Sequence, residues 1–494
     1  MFSKLNAIIN KIKNMNTTIN EYQRDTVVQS LPIVAYINQA KRLIEDKEFD
    51  NAEIVLLRAL DIENKNALIY KYLGKIYEQK RDYKKAIFHY DKSVKINSLD
   101  KDVWPRLGFC QLNINLLEDA LVSFEKANQI TPMNNDIYTG WGMTYMQMKK
   151  YALAKDKFNT AAKINKYNFS AILLSAVMET RLGEYKIAEE KLSFLVKTAP
   201  NESSFYEYAN LLTKTEKYDK ARIYAQKVID LNSKMLPAYL LLAEIDSRLG
   251  LKDEAINQFL IALEMNLDCP NLHLEWAETY LNFFDWEKAK EQYLIYLNEE
   301  QNDVFVHVAI NLCDVKLGNA TSYTIDYNKE DNYIVHELLG IDLYKNNNFD
   351  EAIVEFQKAN KLNSSYKYNL LNLARVYFAK KDIEKAKNYY ELYTNSVCWD
   401  SNGVIEFAKV LIELSDFASA QRKLRKFSKV YPENVDILNL LFYTSYKLVK
   451  DNICDYNIKE AIDLANKILQ DGKFEYNNEK QELEDLLKTI QGNK

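Results

Sequence analysis

The sequence predicts an all-α protein, a solenoid of about thirteen stacked helix–turn–helix units, and three observations carry that expectation. The first is composition: 494 residues hold only eleven glycines and seven prolines, with 47% hydrophobic and 27% charged side chains. So few turn residues exclude Gly-rich phosphate loops and turn-dense β sandwiches, and the apolar content excludes a disordered chain. The second is a column of alanines at a nearly constant step of 34 residues: Ala52, Ala86, Ala120, Ala154, Ala188, Ala221, Ala255 and Ala289. It resumes at Ala352, Ala386 and Ala420 and ends, after a longer step, at Ala461. The third is another column twelve places upstream: Ala40, Gly74, Gly108, Gly142, Ala176, Ala209, Ala243, Ala277, Gly340, Ala374 and Ala408. Two columns of tiny side chains within apolar periodic segments mark where paired helices cross with their backbones close. A larger side chain there would push the pair apart, at ~1–3 kcal/mol.

The elements follow in order. Large residues stand four places before the first small column (Tyr36, Tyr70, Trp104, Tyr138, Ile172, Phe205, Tyr239), the spacing of one buried helical face. Gly183, Gly250 and Gly318 lie about seven residues past that column, where a helix C-terminus favours positive φ. The seven prolines (Pro32, Pro105, Pro132, Pro200, Pro237, Pro270, Pro432) fall at unit junctions or in first turns, where the missing N–H has no intrahelical partner anyway. Unit starts lie near 33, 67, 101, 135, 169, 202, 236, 270, 304, 333, 367 and 401. The chain accordingly reads as an N-terminal segment 1–32, regular units over 33–303, a degenerate unit 304–332, regular units over 333–434, and an irregular end 435–494.

The degenerate unit is short and carries Tyr323 in place of its alanine, which makes it the expected hinge or distortion. After 435 an insertion around KDNICDY precedes Ala461, and EKQELEDLLKTIQGNK reads as a polar helix covering the last unit. At the other end Phe2, Leu5, Ile8, Ile9 and Ile12 share one helical face flanked by Lys4, Lys11 and Lys13. That face suits a cap on the first unit, a filler of the groove, or contact of residues 1–13 with an anionic membrane, the last being the less favoured.

One stretch holds Trp104, Leu107, Gly108, Ala120, Phe124, Ala127 and Pro132, and the next supplies Trp141, Gly142, Tyr145, Ala154, Phe158 and Ala161. The sequence thereby resembles the tetratricopeptide repeat family over about residues 33–434, with Gln111 where the family prefers tyrosine. The resemblance implies a right-handed superhelix whose first helices line a concave groove, and a function of protein–protein interaction.

On that reading the groove-facing positions of units two to five form an apolar stripe: Leu68, Tyr72, Phe109, Leu112, Met143, Met146, Leu173, Leu174 and Val177. Flexible methionines beside aliphatic and aromatic side chains suit a peptide or helix of a partner, although a tight superhelix would hide the same stripe. In units six to eight these positions turn acidic, with Glu207, Glu244, Glu275 and Glu278, either as a solvated face or as a subsite for a basic segment. The family's carboxylate clamp is not expected, because Lys71 and Lys75 are followed by Arg106 and Asp136 where the clamp requires Asn and Lys.

The rest of the composition narrows the function classes. A net charge of −5 from 65 basic and 70 acidic residues leaves no footprint for nucleic acid. No phosphate-loop, metalloprotease or nucleophile-elbow motif is present, so no catalytic residue, cofactor or metal is expected. His273, His307 and His336 share one unit position, but equivalent residues of stacked helices lie ~8–10 Å apart, too far for one metal. Five scattered cysteines without a CxxC pair suit buried free thiols and a cytoplasmic protein. The expected function is a non-enzymatic scaffold or adaptor; the alternative is a regulatory subunit whose superhelix changes shape on binding a peptide.

Overall fold

The computed structural model describes residues 33–397, 399–451, 455–469 and 474–492. The amphipathic segment within 1–32, with Phe2 to Ile12, lies outside the described residues, as do Cys398 and Cys454. Among the described residues there are 26 α-helices and no strand, packed as consecutive helical pairs, the all-α solenoid that the two columns predict. Twelve of the units are full pairs, from Ile33–Glu45 with Phe49–Ile62 to Val435–Asp451 with Asp455–Leu469. The remaining two helices are Val304–Lys316, which has no second helix, and the terminal Asn477–Gly492. The described residues divide into two compact units between Leu211 and Leu212.

Local chemistry sets the helix ends. Asn66, Asn134 and Asn168 each accept a backbone N–H of the first helical turn through the side-chain oxygen, satisfying donors that have no intrahelical acceptor. Pro237 and Pro270 sit in the first turn of their helices, as read from the sequence. The turn between paired helices is more uniform than the glycines suggest. Gly183, Gly250 and Gly318 have φ of +80°, +78° and +76°, and Lys47, Arg81, Asn115, Lys149, Glu216, Phe284, Asn347, Lys381 and Ser415 hold the same place in their units with φ of 57–62° or close to it, Lys381 reaching 63°. In each case the turn returns N–H groups to the helix end; Arg81 donates to the Glu78 carbonyl at 3.0 Å and Asp82 to that of Tyr77 at 2.9 Å. A left-handed residue is therefore a geometric requirement of the turn, met even where the side chain pays for it at ~1 kcal/mol.

Where the first small column is glycine, the missing Cβ leaves room for a ring from the second helix. A Cβ built on Gly74 would lie 2.5 Å from Tyr90, and on Gly142 or Gly340 2.6 or 2.7 Å from Phe158 or Phe356. These rings are 0–1% exposed and form the centre of each pair.

The unit 304–332 departs from the pattern at that same column, where Asn311 replaces the small residue. Its amide Nδ2 donates to the Tyr323 carbonyl at 2.8 Å while its Oδ1 accepts the Tyr323 N–H at 2.9 Å. Asp314 accepts the backbone N–H and the hydroxyl of Ser322 at 3.0 and 2.6 Å and is held from the other side by Lys290 at 2.5 Å. The His307 ring stacks on Tyr323 at 4.1 Å. Two buried polar side chains thus bind an irregular segment where a second helix would pack, in a stretch rich in Thr, Asn, Ser and Asp that favours turns over helix.

Farther along the same compact unit, the turn after helix Pro270–Asn282 meets residues more than eighty places ahead. Phe284 packs edge-on against Tyr368 at 4.8 Å, Trp286 against the same ring at 5.5 Å, and Phe283 against Trp399 at 5.4 Å. Lys316 sits over Tyr368 at 3.9 Å and bonds the buried Glu337 at 2.7 Å. At the C-terminal end helix Asn477–Gly492 covers the last pair through Leu483, with Glu482 accepting from Tyr446 at 2.6 Å and pairing with Lys450 at 2.7 Å.

Candidate functional site

The stripe read from the sequence lies within the first compact unit, on four successive first helices: Ala67–Gln79, Val103–Asn113, Asn135–Gln147 and Phe169–Arg181. Leu68 is 43% exposed, and Tyr72, Phe109, Met143, Met146, Leu173, Leu174 and Val177 are half-buried. Leu112 is a correction: at 4% exposure it belongs to the core with Ala120, Phe124, Ala127 and Ile137, because its place faces its own second helix. Six of the half-buried members rest on core residues: Phe109 meets Phe124 edge-on at 5.1 Å, Tyr72 packs on the cluster that includes Ile69 and Leu73, and Met143, Met146, Leu174 and Val177 lean on the cluster of Ala154, Phe158 and Met178. Each of these six has a packed side and a side that keeps accessible surface. Lys71 is spent on Asp100 and Asp102 at 3.0 and 2.7 Å, and is paired where a clamp would need it free.

The acidic positions separate. Glu244, Glu275 and Glu278 converge in the second compact unit on a cleft of about 170 Å³ with Leu240, Arg248, Phe259 and Asn282, whereas Glu207 belongs to the first unit. Burial in this cleft pushes the Glu278 carboxyl up to about 7, with Glu275 and Glu244 adding like-charge repulsion and Arg248 opposing it. Arg248 reaches Glu244 at 3.5 Å, four residues away on the same helix. Phe259 lines the cleft beside the carboxylates, and Trp276 stacks on it at 5.4 Å.

Sequence reasoning missed a second cleft of about 490 Å³ over helices Ile383–Ser396 and Phe417–Ser428, lined by Lys387, Arg422, Lys423 and Lys426 beside Glu391 and Asp416. Its charges are largely matched internally, Lys387 to Asp416 at 2.7 Å and Lys423 to Glu391 at 2.9 Å. The signal was the basic run QRKLRK, which reads as a solvated face until the pairing is seen.

The histidines are engaged one by one. His273 bonds Gln292 and Asp268 at 2.8 and 3.0 Å, and His336 bonds Glu355 and Asp331 at 2.5 and 2.9 Å. His89 stacks on Tyr77 at 5.2 Å, and its burial holds its pKa down to about 4, so the ring is neutral at physiological pH. Among the described residues no group of three or more His, Cys, Asp or Glu is placed to hold a metal ion. Cys110 and Cys313 are buried free thiols, both pushed up to about 12 by that burial. No helix among the described residues is long and apolar enough to cross a membrane.

Paired helices that contact chiefly their neighbours, with small residues recurring where they cross, define a helical-repeat protein, a class in which recognition resides on exposed helix faces. Comparison with known families matches the tetratricopeptide repeat at residues 67–100, 202–235 and 369–395, the first two each spanning one whole helical pair. The chain is a tetratricopeptide repeat protein. It is 24% identical over 160 residues to anaphase-promoting complex subunit 3 of Schizosaccharomyces pombe, covering 32% of this chain and 24% of that protein. It is also 24% identical over 267 residues to a TPR repeat-containing protein of Methanocaldococcus jannaschii, covering 49% of this chain and 47% of the other. The chain thus spans less than half the length of either relative. Among solved structures, a tetratricopeptide repeat protein from Parabacteroides merdae shares 20% identity with a TM-score of 0.41, over 50% of this chain and 98% of its own. The anaphase-promoting complex hetero-tetramer Cut9-Hcn1 shares 13% identity with a TM-score of 0.42, over 84% of this chain and 96% of its own.

Proposed function

We propose that the chain is a non-enzymatic interaction scaffold or adaptor that binds a peptide or helix of a partner protein along the first helices of units two to five. One observation carries this reading: Leu68, Tyr72, Phe109, Met143, Met146, Leu173, Leu174 and Val177 keep accessible surface on four successive first helices, and all of them except Leu68 and Leu173 are braced against the core. An apolar surface whose rotamers are already limited by packing loses little conformational freedom when a partner covers it, so binding mainly orders the partner. Methionines within it adapt to side chains of different shape. The second reading, a peptide-sensing regulator hinged at 304–332, draws less support, because Asn311 and Asp314 tie that segment down by five hydrogen bonds.

The test is affinity purification from the source cells with the full chain as bait, followed by reconstitution of each retained protein with purified wild type and with Leu68→Glu or Leu173→Glu. A genuine partner should bind the variants about tenfold or more weakly, a loss of ~1.4 kcal/mol, while their circular dichroism stays unchanged. Equal retention by wild type and both variants would reject this surface.

A further inference from the structure

The second helices of the first three units, Phe49–Ile62, Tyr83–Ile96 and Leu117–Ile130, carry a surface that the groove does not use. Their buried sides centre on Ala52 and Leu56, on Ala86 and Tyr90, and on Ala120 and Phe124. A helix turns by about 100° per residue, so the places two and six beyond the leading alanine point the opposite way. They hold Ile54 and Arg58, Phe88 and Lys92, and Val122 and Lys126, all exposed, with the apolar three at 45, 55 and 54%. The ladder lies within one compact unit and stops at the next pair, where Asp156 and Thr160 take these places.

A lysine stem commonly covers an exposed apolar neighbour while its ammonium meets a carboxylate or water. Here the cations line one flank of the apolar ladder, and among the described residues none of Arg58, Lys92 and Lys126 forms an ion pair. Lys92 lies over the Phe88 and Tyr70 rings at 4.9 and 5.6 Å, and Lys126 reaches the Gln129 amide oxygen at 3.4 Å. The other flank is mixed, with Asp50 and Leu57, Lys84 and Asp91, and Glu118 and Glu125 on the three helices in turn. Of its carboxylates, Asp50 holds Lys80 at 2.8 Å and Asp91 holds Lys95 at 2.5 Å. The face thus combines a row of exposed apolar side chains with a row of cations that lack a counter-charge within the chain.

We propose that this outer face docks an acidic amphipathic helix of a partner protein, its apolar side seated on Ile54, Phe88 and Val122 and its carboxylates set against Arg58, Lys92 and Lys126. Charge selects this occupant. The chain's own N-terminal segment bears Lys4, Lys11 and Lys13 and would meet like charge, and a second copy of the same face would set cations against cations. Spacing suits a helix, because stacked helices repeat at ~8–10 Å and seven residues of helix rise ~10.5 Å, so apolar residues one heptad apart meet successive rungs. The face is separate from the groove and gives the chain a second place to hold a protein.

The probe is a synthetic helical peptide of about eighteen residues with leucines at heptad spacing and glutamates along one flank, titrated into the full chain by calorimetry, with a counterpart carrying lysine for each glutamate. The acidic peptide should bind at least about tenfold more tightly than the basic one. Arg58→Glu combined with Lys92→Glu should reverse that preference, and Phe88→Ser should weaken the acidic peptide about fivefold; these positions are exposed, so the circular dichroism of each variant should match wild type. Leu68→Glu, in the groove, should leave the acidic peptide's affinity unchanged, so the two surfaces fail separately. No binding of the acidic peptide, equal affinity for both peptides, or a preference that survives the double charge reversal would each overturn the assignment. Pelleting of the chain with vesicles of phosphatidylcholine and phosphatidylserine that Lys92→Glu abolishes, with the acidic peptide left unbound, would also overturn it and give the face to a membrane surface.

Discussion

The ring of Phe158 occupies the space that a Cβ on Gly142 would fill, approaching that position to 2.6 Å. Gly142→Ala therefore has to displace a fully buried ring, and should lower stability by about 1–3 kcal/mol. Urea unfolding measures the loss. Because repeat arrays couple mainly to nearest neighbours, hydrogen exchange should accelerate first in helices Asn135–Gln147 and Tyr151–Ile164.

Lys149 holds φ of +57° at a solvent-exposed turn. Lys149→Gly should raise stability by about 0.5–1 kcal/mol, the relief of left-handed strain exceeding the added freedom of the unfolded chain. A lower unfolding midpoint in urea would show that the turn is not strained.

Asn311 exchanges two hydrogen bonds with the Tyr323 backbone in the segment without a second helix. Asn311→Leu keeps the volume and strands the Tyr323 N–H and carbonyl, at a cost of about 1–3 kcal/mol. The Tyr323 amide should lose its protection from hydrogen exchange in the variant; protection equal to wild type would show that the segment is held by other contacts.

Glu278 folds with its carboxyl raised to about 7 from an ordinary 4.5. Between these two values the folded chain binds a proton that the unfolded chain has released, so stability falls as pH rises from about 4.5 through about 7 and is level above it. The full shift corresponds to an upper limit of about 3 kcal/mol. Glu278→Gln cannot release that proton, so it should stabilise the chain at pH 8 and change little at pH 4. The unfolding free energy of wild type and variant, measured across this range, checks the sign.

Tyr368 receives Phe284, Trp286 and Lys316 on one ring. Tyr368→Ala removes a partly buried ring, so it should cost about 2–3 kcal/mol, below the range of a fully buried aromatic, and shift the emission of Trp286 toward red as water reaches it. Unshifted emission would mean that the turn Phe283–Trp286 keeps its seat without that ring.

Much of this architecture was legible because its causes are local. A residue that must be tiny for two helices to cross and a proline in a first turn both act within one unit, so they can be read along the chain against the step of the unit itself. The left-handed turn position was legible only at Gly183, Gly250 and Gly318, since Lys, Arg and Phe bear no mark of the conformation they are forced to adopt. Tyr323 showed that unit 304–332 is irregular, yet the missing helix and its replacement by hydrogen bonds became visible only with Asn311 and Asp314 in place.

By itself the sequence determined the helices, their pairing and the family, through contacts that stay within a few turns of chain. The tertiary structure alone decided that Leu112 turns inward, that Phe284 finds Tyr368, and that Glu244, Glu275 and Glu278 share a cleft. These depend on how far each side chain reaches and on how small rotations between successive pairs accumulate, and neither quantity has a period that a sequence can display.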